Sequence, residues 1–353
     1  MNNFRSATGT RVLLTLAAFV IVVAGLRAAE AIIVPFLLSA LIAMICTPLL
    51  SWMQRRGVST AVSVFLIVIG IMVLGLIFGT VIGTSLNNFA AAAPTYQERL
   101  RAETADLFIW LKSHGVDISR KVFSDYFDPS KAMQMIAASL KQVGGVLTNA
   151  FLILITVIFI LLETSGFPAK LHQALDNPDE SMEHFKKITF NVKRYLALKT
   201  LLSVGTGFCV TMLLLFLNID YAILWGIIAF LLNYIPNIGS IIASVPAVLM
   251  AFVQFGLGKA AIVAIGYLII NITFGPVIEP KIMGRGLGLS TLVVFMSLVF
   301  WGWVLGPIGM LLSVVLTMIV KIALESRDDT RWLGILLGNP EAPETPEPEG
   351  DEA

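Results

Sequence analysis

YAILWGIIAFLLNYIPNIGSIIASVPAVLMAFVQFGLG, residues 221–258, carries no charge, is far too long for one upright membrane helix and is barely long enough for two once a turn is subtracted. A helix rises ~1.5 Å per residue and the hydrocarbon core is ~30 Å thick, so a simple span takes ~20 apolar residues. Near the middle of the run stands Asn233-Tyr234-Ile235-Pro236-Asn237-Ile238-Gly239, which a continuous helix does not tolerate, because Pro236 lacks an amide hydrogen and clashes with the preceding turn. A second uncharged run, 286–320, is broken at Gly302 and again at Gly306-Pro307-Ile308-Gly309. Arms of ~15 residues reach ~22 Å, short of the hydrocarbon thickness. Each run therefore reads as a helical hairpin whose tip stops inside the membrane or at its edge. Irregular backbone is tolerated there only against protein or a water-filled cavity, so the two tips are expected near each other across an aqueous path. The plainer alternative is two pairs of ordinary close-packed spans whose prolines mark tight turns, since glycine and proline are frequent in membrane helices.

The rest of the chain agrees with a lipid solvent. Of 353 residues 57% are hydrophobic and 13% charged, with a mean hydropathy of +0.87, whereas a soluble domain carries about 25% charged residues. Residues 57–97 form a further uncharged stretch. The net charge of +1 gives no reason to expect nucleic acid as a partner. Cys46 and Cys209 both sit in apolar runs and read as small apolar residues. His114, His172 and His184 share no metal-ligand spacing, so neither a metal nor a cofactor is implied.

Simple spans are expected at about 12–29, 31–50, 62–86, 143–162, 200–217 and 260–278. Arg27 and Lys199, near span ends, can reach the headgroups. Ala29-Glu30-Ala31 has the form of a signal-peptide cleavage site, but the next apolar run begins at once, which favours a span. The fold class is thus an all-α integral membrane protein, a polytopic helical bundle of about eight membrane segments that includes two broken or re-entrant helical hairpins of opposite sense. Arg5 and Arg11, Arg55 and Arg56, and Lys186, Lys187, Lys193 and Arg194 fall on one side if both termini are cytoplasmic in a bacterial inner membrane.

The domain order follows: residues 1–86 hold three spans, 87–142 an extracytoplasmic helical segment, 143–163 the fourth span and 164–199 a cytoplasmic amphipathic helix. Residues 200–325 form the transport core with both hairpins, and 326–353 an acidic, disordered cytoplasmic tail. Asn177-Pro178-Asp179-Glu180 combines an N-cap, a first-turn proline and acids at the positive end of the helix dipole, so a helix is expected to start there. Asp128-Pro129 has the look of a cap in the outer segment. Hairpins of opposite sense joined by a span are also what an inverted architectural repeat looks like in sequence.

Polar groups at depth supply the candidate site. Asn233, Asn237 and Asn271 must each find a neighbour, a water or a ligand. With Pro236, Gly239, Gly306, Pro307 and Gly309 they mark substrate binding or gating, the alternative for the asparagines being simple capping of the break. Glu279 ends a span beside Pro280, Lys281 and Arg285. It is read either as a solvated anchor or as a carboxylate that pairs with Lys281 or Arg285, or takes a proton, at the mouth of the cavity. Trp301 and Trp303 are left as interface or packing residues.

At these residues the chain closely resembles the autoinducer-2 exporter family of bacterial membrane proteins. The stretches that carry the resemblance are NYIPNIG at 233–239, IEPKIMGRGLGLS at 278–290 and GWVLGPIGMLLSVVL at 302–316, and the order of spans and the large loop after the third match as well. Thr291 stands where a proline is frequent in the family, and the acidic tail is an addition. The resemblance implies export of autoinducer-2, a small polyhydroxylated signalling molecule, or sodium–proton antiport, with the chain assembled as a homopentamer. Membership alone does not set the substrate.

The leading expectation is a secondary transporter of a small polar solute, coupled to H+ or Na+, with the lipid bilayer and further copies of the chain as its partners. No GxxxxGK[ST] loop is present, so ATP drive would need another subunit. A channel would need more polar groups along its spans, an enzyme a paired-carboxylate, metal or nucleophile motif, and a scaffold would rely on the outer segment and tail. The orientation is open to direct test. Single cysteines placed within 100–130, in a chain lacking the two native cysteines, should react with an impermeant thiol reagent in intact cells. Labelling only after lysis would reverse the topology.

Overall fold

The computed structural model describes residues 3–113, 150–164, 166, 167, 170, 173, 178–236, 238–283, 289–326 and 329–338. Asn237, Arg285, Asn177, the Asp128-Pro129 cap and most of the acidic tail therefore lie outside the described residues. Every described element is helical. The order is α1 (Asn3–Ala28), α2 (Glu30–Arg55), α3 (Thr60–Ser113), α4 (Ala150–Thr164), α5 (Pro178–Phe216), α6 (Ala222–Leu232) and α7 (Ile238–Ile272). A π-helical turn (Thr273–Ile278) follows, then α8 (Glu279–Met283), α9 (Thr291–Glu325) and α10 (Arg331–Leu336).

Among the described residues five helices are long and apolar enough to cross a membrane: Glu30–Arg55, Thr60–Ala92, Thr189–Phe216, Ile238–Ile282 and Thr291–Glu325. Leu13–Ala28, Ala150–Thr164 and Ala222–Leu232 are shorter apolar helices. The outer surface is apolar too, with Phe216 85% and Ile32 75% exposed. Such a surface is stable against hydrocarbon and would aggregate in water.

Two elements differ in extent from the sequence reading, and a third, α5, follows the expected start at Pro178. α3 continues without a break from the third span to Ser113, so the start of the 87–142 segment is the same helix carried onward. α5 is one helix of 39 residues that begins at Pro178, the first-turn proline, and passes through position 199 uninterrupted. The tail opens with the short helix α10, whose Gly334 is buried against Glu325 of α9.

The main core is an antiparallel unit of α5, α6 and α7. α6 runs back along α5: a Cβ built on Gly226 would meet the Gly207 carbonyl at 2.8 Å, and Tyr234 just beyond α6 reaches Thr200. α7 is not one rod. At Gly256 the backbone takes φ 76, ψ −171, a conformation essentially restricted to glycine, and the chain reverses. Residues 238–255 run away from the α6–α7 turn, and Gln254 accepts the Asp220 amide at 3.1 Å. Residues 257–272 come back beside α5, with Lys259 donating to the Leu217 carbonyl at 3.4 Å. Further along, a Cβ on Gly266 would stand 2.5 Å from Leu213, and one on Gly205 2.6 Å from Phe274. Val210, Leu214, Trp225, Ala247, Met250 and Val263 fill the space between the four segments.

α9 folds back in the same way. Gly306 has φ 64, ψ −156, and Trp301 Nε1 donates to Thr317 Oγ1 at 3.0 Å. In a straight helix those residues would be about 24 Å apart. Its second arm packs with α2 and α5 through Leu41, Val192, Leu196, Leu312, Val315 and Met318. α2, α3 and α4 close a separate layer around Leu50, Val64, Ile67, Val157 and Leu161, where Ser39 donates across to the Ile153 carbonyl at 3.1 Å.

The reversal at Gly256 has a direct consequence for stability. Gly256→Ala should cost about 1–3 kcal/mol, the strain of a Cβ in a glycine-only conformation. Gly258→Ala, with open space around it, should be neutral or gain up to ~1 kcal/mol. Thermal unfolding of both purified variants in one detergent separates the cases, and equal melting temperatures would mean that the chain does not reverse at Gly256.

Candidate functional site

Polar side chains gather where the α6–α7 turn meets α5 and α8. Lys199 lies on the inward face of α5, in phase with Val192, Tyr195, Leu196, Leu202, Ser203 and Thr206, and is 3% exposed. Its ammonium donates to both Glu279 oxygens at 2.9 Å, while the Glu279 side chain keeps 28% of its surface exposed. At the next residue of α5, Tyr234 donates to Thr200 Oγ1 at 2.7 Å, and Thr200 in turn donates to the Leu196 carbonyl at 2.7 Å. Asn233 Nδ2 donates to Ser203 Oγ at 3.0 Å. The cluster thus joins the first break to the end of the returning arm of α7.

The backbone leading to Glu279 is irregular for a stated reason. Pro276 cannot donate to Ile272, and the helix widens into the π turn 273–278, so that the Glu279 amide bonds the Phe274 carbonyl five residues back. Pro280 has no amide hydrogen either. The Gly275 carbonyl is therefore left without a main-chain donor at either the α or the π register, and no atom crowds Gly275 on its Cβ side within 4 Å.

The residues singled out in sequence fall in separate places. Asn233, Pro236 and Gly239 are together at the first turn, with Gly239 buried so tightly that a Cβ would overlap the Leu232 carbonyl. Glu279 is beside that turn, but its partner is Lys199 rather than Lys281, which is exposed. Lys199 itself is buried rather than extended to headgroups, because its place on the inward face of α5 carries it into the core. Asn271 is half-buried on the returning arm of α7. Gly306, Pro307 and Gly309 form the α9 reversal, where a Cβ on Gly309 would overlap the Trp301 carbonyl and one on Gly306 would stand 3.0 Å from Glu30 Oε1. Arg27 lies 4.6 Å over the Trp303 ring close by. No hydrogen bond or ion pair among the described residues joins this turn to the first one. Glu30 and Lys199 were not in the sequence-based set; the helical phase of Lys199 with the apolar face of α5 was the signal that could have found it.

At the other end of the α5–α7 unit, Tyr96 of the α3 extension donates to Asp220 Oδ2 at 2.8 Å, and Trp225 Nε1 donates to the Asp220 carbonyl at 3.0 Å. Burial, followed by the bond to Asp220, raises the Tyr96 phenol well above its ordinary range, so it remains a donor.

An apolar exterior, helices broken at glycine and proline, and charge buried at one break define a polytopic helical membrane protein of the transporter kind. The chain belongs to the AI-2E family of transporters, whose family model matches residues 16–327. It is 41% identical to the AI-2 transport protein TqsA of Escherichia coli (strain K12) over 331 residues, 94% of this chain and 96% of that protein. A Haemophilus influenzae relative is 40% identical over 337 residues, covering 94% and 97% of the two chains. A sodium-lithium/proton antiporter of Halobacillus andaensis is more distant, 24% identical over 317 residues, 83% of this chain and 89% of that one.

The ion pair should behave asymmetrically under mutation. Glu279→Gln strands a buried ammonium and should cost toward the lower end of ~3–5 kcal/mol, whereas Lys199→Met leaves a carboxylate that still meets solvent and should cost less. The double variant Lys199→Met/Glu279→Gln should recover most of the Glu279→Gln loss. A double-mutant cycle read by thermal unfolding checks the coupling, and strictly additive effects would dissolve the pair.

Proposed function

We propose that this chain is a secondary active exporter of a small polar solute such as autoinducer-2, coupled to H+ or Na+, in a bacterial inner membrane with both termini cytoplasmic. The observation that carries the reading is the Lys199–Glu279 pair, buried on the lysine side and open on the carboxylate side, at the tip of a hairpin too short to cross the membrane. α6 has 11 residues, or ~16 Å of helix, which supports a re-entrant first hairpin. The reversal of α9 beside Glu30 supports a second of opposite sense. A proton or cation arriving at Glu279 competes with the Lys199 ammonium for the same two oxygens. Its arrival therefore loosens α8 from α5 and frees the Asn233–Tyr234 turn to move. Hydroxyls and amides at that turn offer a neutral polyol both donors and acceptors.

The Gly275 carbonyl, one turn before Glu279 and without a main-chain donor at the α or π register, favours a second reading, sodium–proton antiport, because hard cations select oxygen ligands. The name of the Halobacillus andaensis relative points the same way. Assembly as a homopentamer, an inference from the family resemblance, completes the proposal. An oligomeric channel is the remaining alternative.

Flux through the purified chain in proteoliposomes decides among these. A carrier should give saturable autoinducer-2 flux with counterflow, driven by a proton or sodium gradient. Lys199→Met/Glu279→Gln, which strands no charge, should retain downhill flux but lose the gradient response. Ohmic conductance without counterflow would make it a channel, gradient-driven sodium movement with no autoinducer-2 flux an antiporter, and an intact gradient response in the double variant would remove Glu279 from coupling. Native mass spectrometry in mild detergent should show pentamers; monomer alone would end that part of the proposal.

A further inference from the structure

Tyr267, on the returning arm of α7, is 2% exposed, and its hydroxyl has no hydrogen-bond partner among the described residues. About nine in ten buried polar groups are bonded, so this phenol stands out in an otherwise apolar layer. It belongs to the cluster that also contains Val210 and Leu214 of α5 and Ala247 and Met250 of the outgoing arm of α7. A phenylalanine would fill the same volume there without burying an unpaired hydroxyl, and the fold gains nothing visible from the oxygen.

Its position along the unit gives the hydroxyl a use. The register that sets Gly266 against Leu213 and Phe274 against Gly205 places Tyr267 between the two polar ends of the α5–α7 unit. At one end are Asn233–Ser203, Tyr234–Thr200 and Lys199–Glu279. At the other are Asp220, Gln254 and Lys259. On the stretch of α5 between them, Thr206 and Thr211 donate back to the Leu202 and Gly207 carbonyls, which leaves their oxygens as acceptors.

We infer that Tyr267 is the mid-depth contact of the transported solute, its phenol hydrogen-bonding a solute hydroxyl as the solute passes between these two polar ends. A phenol both donates and accepts and carries no charge at neutral pH, which suits a neutral hydroxylated solute better than an ion. The inference deepens the transporter reading and rests on it.

The test is Tyr267→Phe in the full chain, reconstituted and assayed with autoinducer-2, beside thermal unfolding of the same preparation. The melting temperature should stay the same or rise, while the specificity ratio for the solute, maximal rate over half-saturating concentration, should fall about tenfold, as loss of one hydrogen bond to a bound ligand implies. A ratio within about twofold of wild type, on the same scale, overturns the inference while leaving the transporter reading intact. A lowered melting temperature with unchanged flux also overturns it, since the hydroxyl would then serve the fold. Absence of any wild-type autoinducer-2 flux removes the transporter reading and this inference together, so the two failures are distinguished by the wild-type control.

Discussion

A main-chain amide or carbonyl stripped of water and left without a partner costs several kcal/mol in hydrocarbon, and the architecture follows from how each interruption of a helix meets that cost. Gly256 and Gly306 adopt nearly the same backbone conformation, and each turns one long apolar stretch into two antiparallel arms. The loose groups of the α5–α6 turn are met by neighbours, two of them flanking Gly256: Gln254 takes the Asp220 amide, Trp225 bonds the Asp220 carbonyl and Lys259 caps the carbonyl of Leu217. Before Glu279 the accommodation is incomplete, since two prolines and a π turn leave the Gly275 carbonyl without a main-chain donor. That shortfall falls one turn before Glu279, the carboxylate of the buried ion pair.

The ion pair is costly to build. Desolvating an ammonium takes several kcal/mol even after relaxation, and only close, well-directed bonds offset it. Lys199 meets both Glu279 oxygens, while the carboxylate keeps part of its surface open. Such a pair is a poor device for stability alone, because an apolar pair of the same shape would serve as well. It is a good device for exchange, since anything that binds the open side of Glu279 acts directly on the buried lysine. In the transporter reading this exchange ties an ion gradient to the movement of a short hairpin.

Much of the fold was legible in the sequence because hydrophobic length is a one-dimensional property. The uncharged runs, the break at Asn233 to Gly239, the reversal at Gly306-Pro307 and the helix start at Pro178 all depend on local chemistry: missing amide hydrogens, glycine-only dihedrals and the capping of a helix dipole. The extent of α3 past its span and the small helix at the start of the tail were less legible, since nothing in the local pattern ends the one or forbids the other.

The candidate site divides along the same line. Sequence by itself determined that this is a membrane protein with two broken segments, and that Glu279 and Asn233 are polar groups needing partners near those breaks. Only the tertiary structure decided the partners. Lys199, 80 positions from Glu279 along the chain, read in sequence as a span-end residue that reaches the headgroups; packing turned the face it shares with Tyr195, Leu196 and Ser203 inward. Helical phase tells which residues share a face, but which face is buried, and what charge waits across the gap, depends on how helices distant in sequence lie against one another.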